Sequence, residues 1–165
     1  MIDGELRTVA AKLLDLLRAK KLKLVTAESC TGGLIAAALT EIPGSSDVLE
    51  RGFVTYSNAA KEADLGVAAE ILRRHGAVSE ETARAMAAGA LQASPADLSL
   101  AVTGIAGPDG GSAEKPIGLV HFAAARRGGK TLHREVRFGD IGRTEVRRRS
   151  VIAALALVGE LLGAP

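Results

Sequence analysis

Over residues 5–18 the apolar positions recur at three- and four-residue steps. Leu6, Val9, Ala10, Leu13, Leu14 and Leu17 fall on one face of a helix, and Asp3 is placed to cap it. At 22–27 (LKLVTA) the pattern turns alternating and β-branched, which predicts a strand. Ser29-Cys30-Thr31-Gly32-Gly33 then leads into LIAAALTEI, so the chain reads strand, tight turn, helix, with Pro43-Gly44 ending the helix. A second strand is expected within 48–56, centred on 52–56, and Ser57-Asn58 can cap a short helix from Ala59. Another short helix fits 67–74, closed by Gly76.

Ser79 then opens a longer helix. Glu80 and Glu81 complement the dipole in its first turn, and Ala83, Met86, Ala87, Ala90 and Leu91 form its apolar face. Residues 98–103 (LSLAVT) predict a strand, followed by a loop from Gly104 to Gly111 with four glycines and a proline. A hairpin over 117–125 and 131–138 turns around Gly128-Gly129, and a helix over about 142–162 ends the pattern. Alternating strands and helices with a hairpin late in the chain imply one α/β domain over 1–165. Its sheet is expected to be mixed, with helices on both faces.

Composition narrows the core and the partners. Aromatic residues make 2% of the 165 residues, namely Phe53, Tyr56, Phe122 and Phe138, while 47% are hydrophobic. The core is therefore expected to be Ala, Leu, Val and Ile. Four scattered rings cannot make a base-stacking platform, and a net charge of +2 supplies no field for a polyanion. No nucleic-acid partner is expected. No apolar run approaches the ~20 residues a membrane span needs, so no membrane partner is expected either. One cysteine allows no internal disulfide, and no secretory leader is legible. A cytoplasmic setting and a homo-oligomer, a dimer joined by Ala- and Leu-rich helix faces, are the expectations.

Three loops can carry chemistry. Ala27 to Gly33 places hydroxyls between a strand and a helix, at the strand end where ligands gather in open α/β sheets. Backbone N–H groups at the helix start could receive an anion. The same turn also fits a Ser/Thr helix cap with packing glycines. Arg51 to Lys61 places Tyr56 at a strand end and Lys61 early in a helix, the wrong end for a cation. An exposed Lys61 would be a solvated lysine; a buried one would lose pKa and could serve as a base. His75, His121 and His133 are the usual rivals for that role, but none sits in a comparable loop, and all three read as surface or half-buried. Val102 to Gly111 is neither a Walker A loop nor a dinucleotide fingerprint. In the last helix Arg147, Arg148 and Arg149 point in successive directions and read as solvated surface. Arg143, at the helix start beside Asp140, could meet an anion.

The segments T-A-E-S-C-T-G-G (26–33), R-G-F-V-T-Y-S-N-A-A-K (51–61), G-A-V-S-E-E-T (76–82) and T-G-I-A-G-P-D-G-G (103–111) resemble the CinA C-terminal domain family, in order and over almost the whole chain. The resemblance implies a three-layer α/β/α fold with a mixed sheet. It implies hydrolysis of the carboxamide of nicotinamide mononucleotide to nicotinate mononucleotide and ammonia, with no metal or other cofactor. Carried over by motif, the nucleophile falls on Ser29, the base on Lys61 and a tyrosine partner on Tyr56. The oxyanion donors fall on backbone N–H groups of Cys30, Thr31, Gly32 and Gly33 or of the Thr103-Gly104 loop. Arg143 matches a position suited to the substrate phosphate.

Amide hydrolysis needs an activated nucleophile, an oxyanion site and a proton for the departing ammonia. In this reading Tyr56 could bridge the proton between Ser29, Lys61 and the leaving nitrogen. Cys30 would be the stronger nucleophile as a thiolate; it is expected to pack inward. The alternative is a non-catalytic nucleotide-binding or regulatory module of the competence-damage-inducible type.

Overall fold

The computed structural model describes residues 2–164. Helix α1 (Gly4–Ala19) is capped by the Asp3 carboxylate, which accepts from the Leu6 N–H. Strand β1 (Leu24–Glu28) leads through the turn into α2 (Leu34–Thr40). Strand β2 (Leu49–Val54) is followed by α3 (Asn58–Leu65), α4 (Ala69–His75) and α5 (Glu80–Gln92). Then come β3 (Leu98–Gly104), the hairpin of β4 (Leu119–Arg126) and β5 (Thr131–Arg137), and α6 (Arg143–Leu161). Ser57 and Ser79 cap α3 and α5 through their hydroxyls, each accepting an N–H three residues on.

The strands form one five-stranded sheet in the order β2-β1-β3-β4-β5. β2, β1 and β3 run parallel, while β4 pairs antiparallel with β3 and β5 with β4. The sheet is mixed, as the sequence pattern predicts. The second strand begins earlier than expected, because Leu49 to Val54 take the places beside Leu24 to Glu28; Tyr56 lies two residues beyond its end.

Alternation along the strands separates two cores. Leu98, Leu100 and Val102 of β3, with Val120, Phe122 and Ala124 of β4, face α1, α2 and α6. Ala101, Ala123 and Ala125 face the other side and pack with Ala83, Met86, Ala87 and Ala90 of α5. Small side chains on both partners let α5 lie close to the sheet. The approach is tight enough elsewhere that a Cβ at Gly89 of α5 would stand 1.8 Å from the Leu65 carbonyl oxygen. This is how 47% apolar composition fills a core with almost no rings.

The topology places the site. From β1 the chain crosses through α2 to β2 on one side; from β2 it returns through α3, α4 and α5 to β3 on the other. β1 and β3 are adjacent and parallel, so connections diverge above their carboxyl ends and leave a crevice there.

Candidate active site

Ser29 follows β1 directly, and its N–H donates to the Val102 carbonyl of β3 at 3.0 Å. That bond pins the serine over the crevice. The Ser29 hydroxyl is nearly buried, and the Lys61 ammonium nitrogen lies 3.0 Å from its Oγ. Lys61 sits on the buried side of α3 with Leu65, one helical turn on. Only 1% of it is exposed. Its Nζ donates also to the Thr55 carbonyl at 2.8 Å, but among the described residues it has no carboxylate partner within 4 Å. Burial therefore lowers its pKa from the ordinary lysine value, and the nearby Cys30 opposes this only in part. The sequence left open whether Lys61 is solvated or buried; the structure buries it.

The turn itself is built by a residue the sequence reading passed over. Glu28, fully buried at the end of β1, accepts the Thr31 hydroxyl at 2.7 Å and the N–H groups of Gly33, Ile35 and Ala36 at 3.1, 3.0 and 2.9 Å. A carboxylate thus occupies the start of α2. This corrects the expectation of an open anion site there: its donors are spent inside the protein. The Gly32 N–H is likewise spent, on the Ser29 carbonyl. Gly32 and Gly33 have φ of 58° and 92°, the left-handed region where glycine is favoured. A glutamate immediately before Ser29 and five to eight residues before the N–H groups it accepts was the available signal.

Arg147 holds the turn from outside. Its guanidinium donates to the Thr31 carbonyl at 2.8 Å, and its buried Nε has no partner among the described residues. It is not the solvated residue the helical spacing suggested, because α6 lies across the same face of the sheet as α2. Arg148 does lie at the surface, paired with Asp3 and Glu5 of α1, and Arg149 pairs with Glu145.

Ser29, Cys30, Lys61, Thr103 and Gly104 line one cavity of about 270 Å³, with Tyr56 and Arg143 at its wall. Thr31, Gly32 and Gly33 build the turn beneath it and do not line it. Thr103 donates its hydroxyl to the Ala77 carbonyl at 2.6 Å, which ties the floor to the turn before α5. Gly104 has no room for a side chain, since a Cβ would meet Val120 at 2.7 Å. The Cys30 thiol is buried, and burial pushes its pKa up to about 12, so it stays protonated near neutrality.

Tyr56 is 61% exposed. Its hydroxyl accepts from Arg143 at 2.9 Å and bonds neither Ser29 nor Lys61. The structure therefore does not bring the phenol to the pair it was expected to bridge. Tyr56 lies beyond the strand, and Arg143 at the start of α6 takes up its oxygen. Arg143 also donates to the Gly107 carbonyl at 2.9 Å and makes no ion pair with Asp140.

The histidines lie elsewhere. His121 and His133 stack with ring centres 5.2 Å apart and ring nitrogens 3.0 Å apart. His121 is buried rather than superficial. Burial lowers the pKa of both rings first, and for His121 the second ring lowers it further. Among the described residues no three His, Cys, Asp or Glu side chains group as a metal ion would need, and no helix is long and apolar enough to cross a membrane.

The CinA C-terminal domain model matches residues 6–162. The chain belongs to the CinA C-terminal domain family. Within it, the chain is 50% identical over 156 residues to the nicotinamide-nucleotide amidohydrolase PncC of Escherichia coli K12, covering 94% of this chain and 93% of that one. It is 53% identical over 154 residues to a putative competence-damage inducible protein of Symbiobacterium thermophilum, of whose length it spans 36%. Among solved CinA-type structures, the competence/damage inducible protein CihA of Agrobacterium tumefaciens superposes with a TM-score of 0.95 at 55% identity, covering 98% of each chain.

Proposed function

We propose that this CinA-family chain is an amidohydrolase acting on the carboxamide of nicotinamide mononucleotide, releasing ammonia and nicotinate mononucleotide. The observation that carries the reading is the buried Lys61, with lowered pKa, 3.0 Å from the Ser29 hydroxyl. The E. coli relative of matching length, named for this activity, supports the substrate class.

The geometry supports the following chemistry. Lys61 in its neutral form accepts the Ser29 proton as Oγ attacks the carboxamide carbon. The ammonium so formed delivers that proton to the leaving nitrogen as the C–N bond breaks, giving ammonia and an ester on Ser29. A water molecule, deprotonated by Lys61, then cleaves the ester. The Thr55 carbonyl orients Nζ throughout. Of the turn donors, Gly32 and Gly33 are engaged internally, which leaves the Cys30 N–H as the one at the cavity wall for the oxyanion. Arg143 receives the phosphate beside the first N–H groups of α6 by exchanging its contact with Tyr56. A purely regulatory module would have no use for an uncompensated buried lysine on a serine, since its burial costs stability.

The test is ammonia release from nicotinamide mononucleotide by the wild type, Ser29→Ala and Lys61→Ala. Turnover by the wild type and loss of about 10²-fold or more in each variant is expected. No ammonia from the wild type defeats the substrate assignment; full activity in Lys61→Ala defeats the mechanism.

A further inference from the structure

Among the described residues, each hydroxyl, ammonium and guanidinium group lining the cavity is already engaged within the protein, whereas its carboxylate is not. Ser29 and Lys61 bond each other, Lys61 reaches Thr55, Thr103 reaches Ala77, and Tyr56 and Arg143 bond each other. Asp109 lines the same cavity and has no hydrogen bond or ion pair among the described residues. It is also the only carboxylate among the described residues of that lining. Asp109 is exposed on its loop, whose glycines on either side approach Ile117. A Cβ at Gly107 would stand 2.8 Å from Ile117, and one at Gly111 would stand 2.9 Å from the Ile117 N–H nitrogen, so both glycines lie tight against that residue. Asp109 also faces the adjoining groove of about 800 Å³, which it shares with Gly110. It therefore stands where the reacting end of a ligand gives way to the rest of it.

The substrate class limits what such a carboxylate can do. A phosphate would be repelled by it and belongs with Arg143. The carboxamide must lie at Ser29. Between those two groups a pyridine ribonucleotide carries two adjacent hydroxyl donors, the 2′ and 3′ hydroxyls of the ribose, and an ionised carboxylate can accept from both with its two oxygens. We propose that Asp109 is the ribose-diol acceptor of this site and sets its preference for ribosyl over non-ribosyl or deoxyribosyl amides. The inference rests on the amidohydrolase reading above. It adds a residue that discriminates among substrates and leaves the chemical step to Ser29 and Lys61.

The test crosses substrate with variant. Wild type, Asp109→Ala and Asp109→Asn are assayed for ammonia release from nicotinamide mononucleotide and from its 2′-deoxy analogue. The wild type should lose roughly 10-fold in kcat/KM on the deoxy analogue, the scale of a lost hydrogen bond to a charged group. In Asp109→Ala that penalty should vanish, with the loss on the parent substrate falling mainly on KM. Asp109→Asn, which keeps one acceptor oxygen, should restore part of the discrimination. A deoxy penalty of the same size in Asp109→Ala overturns the proposal while leaving the amidohydrolase reading standing. Absence of ammonia from the wild type with nicotinamide mononucleotide overturns that reading, and this proposal with it.

Discussion

Lys61 is a residue poor for folding whose burial suits it to the base role proposed above. An ammonium taken out of water without a carboxylate partner loses solvation that one hydroxyl and one carbonyl do not replace. The sign of the pH effect follows. With the folded pKa lowered, the neutral base is populated below the ordinary lysine range near 10.4, and kcat/KM should rise with pH as Lys61 deprotonates. Lys61→Met should remove that limb and cost about 10²–10⁴-fold in rate. The same variant should be as stable as the wild type or more so. The stability gap should be largest below the lowered pKa and close as pH rises past the ordinary value. Each kcal/mol relieved would raise Tm by about 2–4 °C in a chain this size. Thermal unfolding at several pH values checks this; a clear loss of stability in Lys61→Met would show that the lysine holds the fold together.

At the scale of elements, the site is a junction of two strand ends with one helix beneath and another alongside. Glu28 at the end of β1 gathers the start of α2, and Arg147 of α6 fastens the Thr31 carbonyl of the intervening turn. These bonds fix the turn that carries Ser29, as near-attack geometry in the proposed reaction would require. Arg147→Met should lower kcat by about 10-fold with little change in KM, and Arg147→Lys should recover part of it, as read from steady-state kinetics. A merely structural arginine would move Tm without this split. Glu28→Gln should destabilise by about 1–3 kcal/mol, since an amide presents N–H groups to donors that need an acceptor; denaturant unfolding measures it.

For the whole molecule, the layers determine stability and its response to pH. The face of the sheet beneath α5 is alanine-rich, and at its edge the His121–His133 stack is bordered by Glu80 of α5 and Glu135 of β5, with Arg84 and Lys115 also near. Both rings have lowered pKa values, so the unfolded chain binds more protons than the folded one as pH falls below about 6.5. Stability should fall through that window, and the double variant His121→Gln/His133→Gln should show a shallower Tm–pH slope above the carboxylate range.

The sequence by itself determined what depends on neighbours in the chain. Helix faces, the Ser57 and Ser79 caps, the alternating strands and the small-residue core are local patterns, and they were legible in periodicity. The likeness of four motifs to one family pointed to Ser29 and Lys61 as candidates, but not to whether they meet. Only the tertiary structure decided that Lys61 is buried against Ser29, that Glu28 fills the start of α2, that Arg147 is half-buried on the Thr31 carbonyl, and that Tyr56 pairs with Arg143, 87 residues away. Each of these is set by how separate elements cross the sheet, and burial and electrostatic partnership between distant residues leave no period in the sequence.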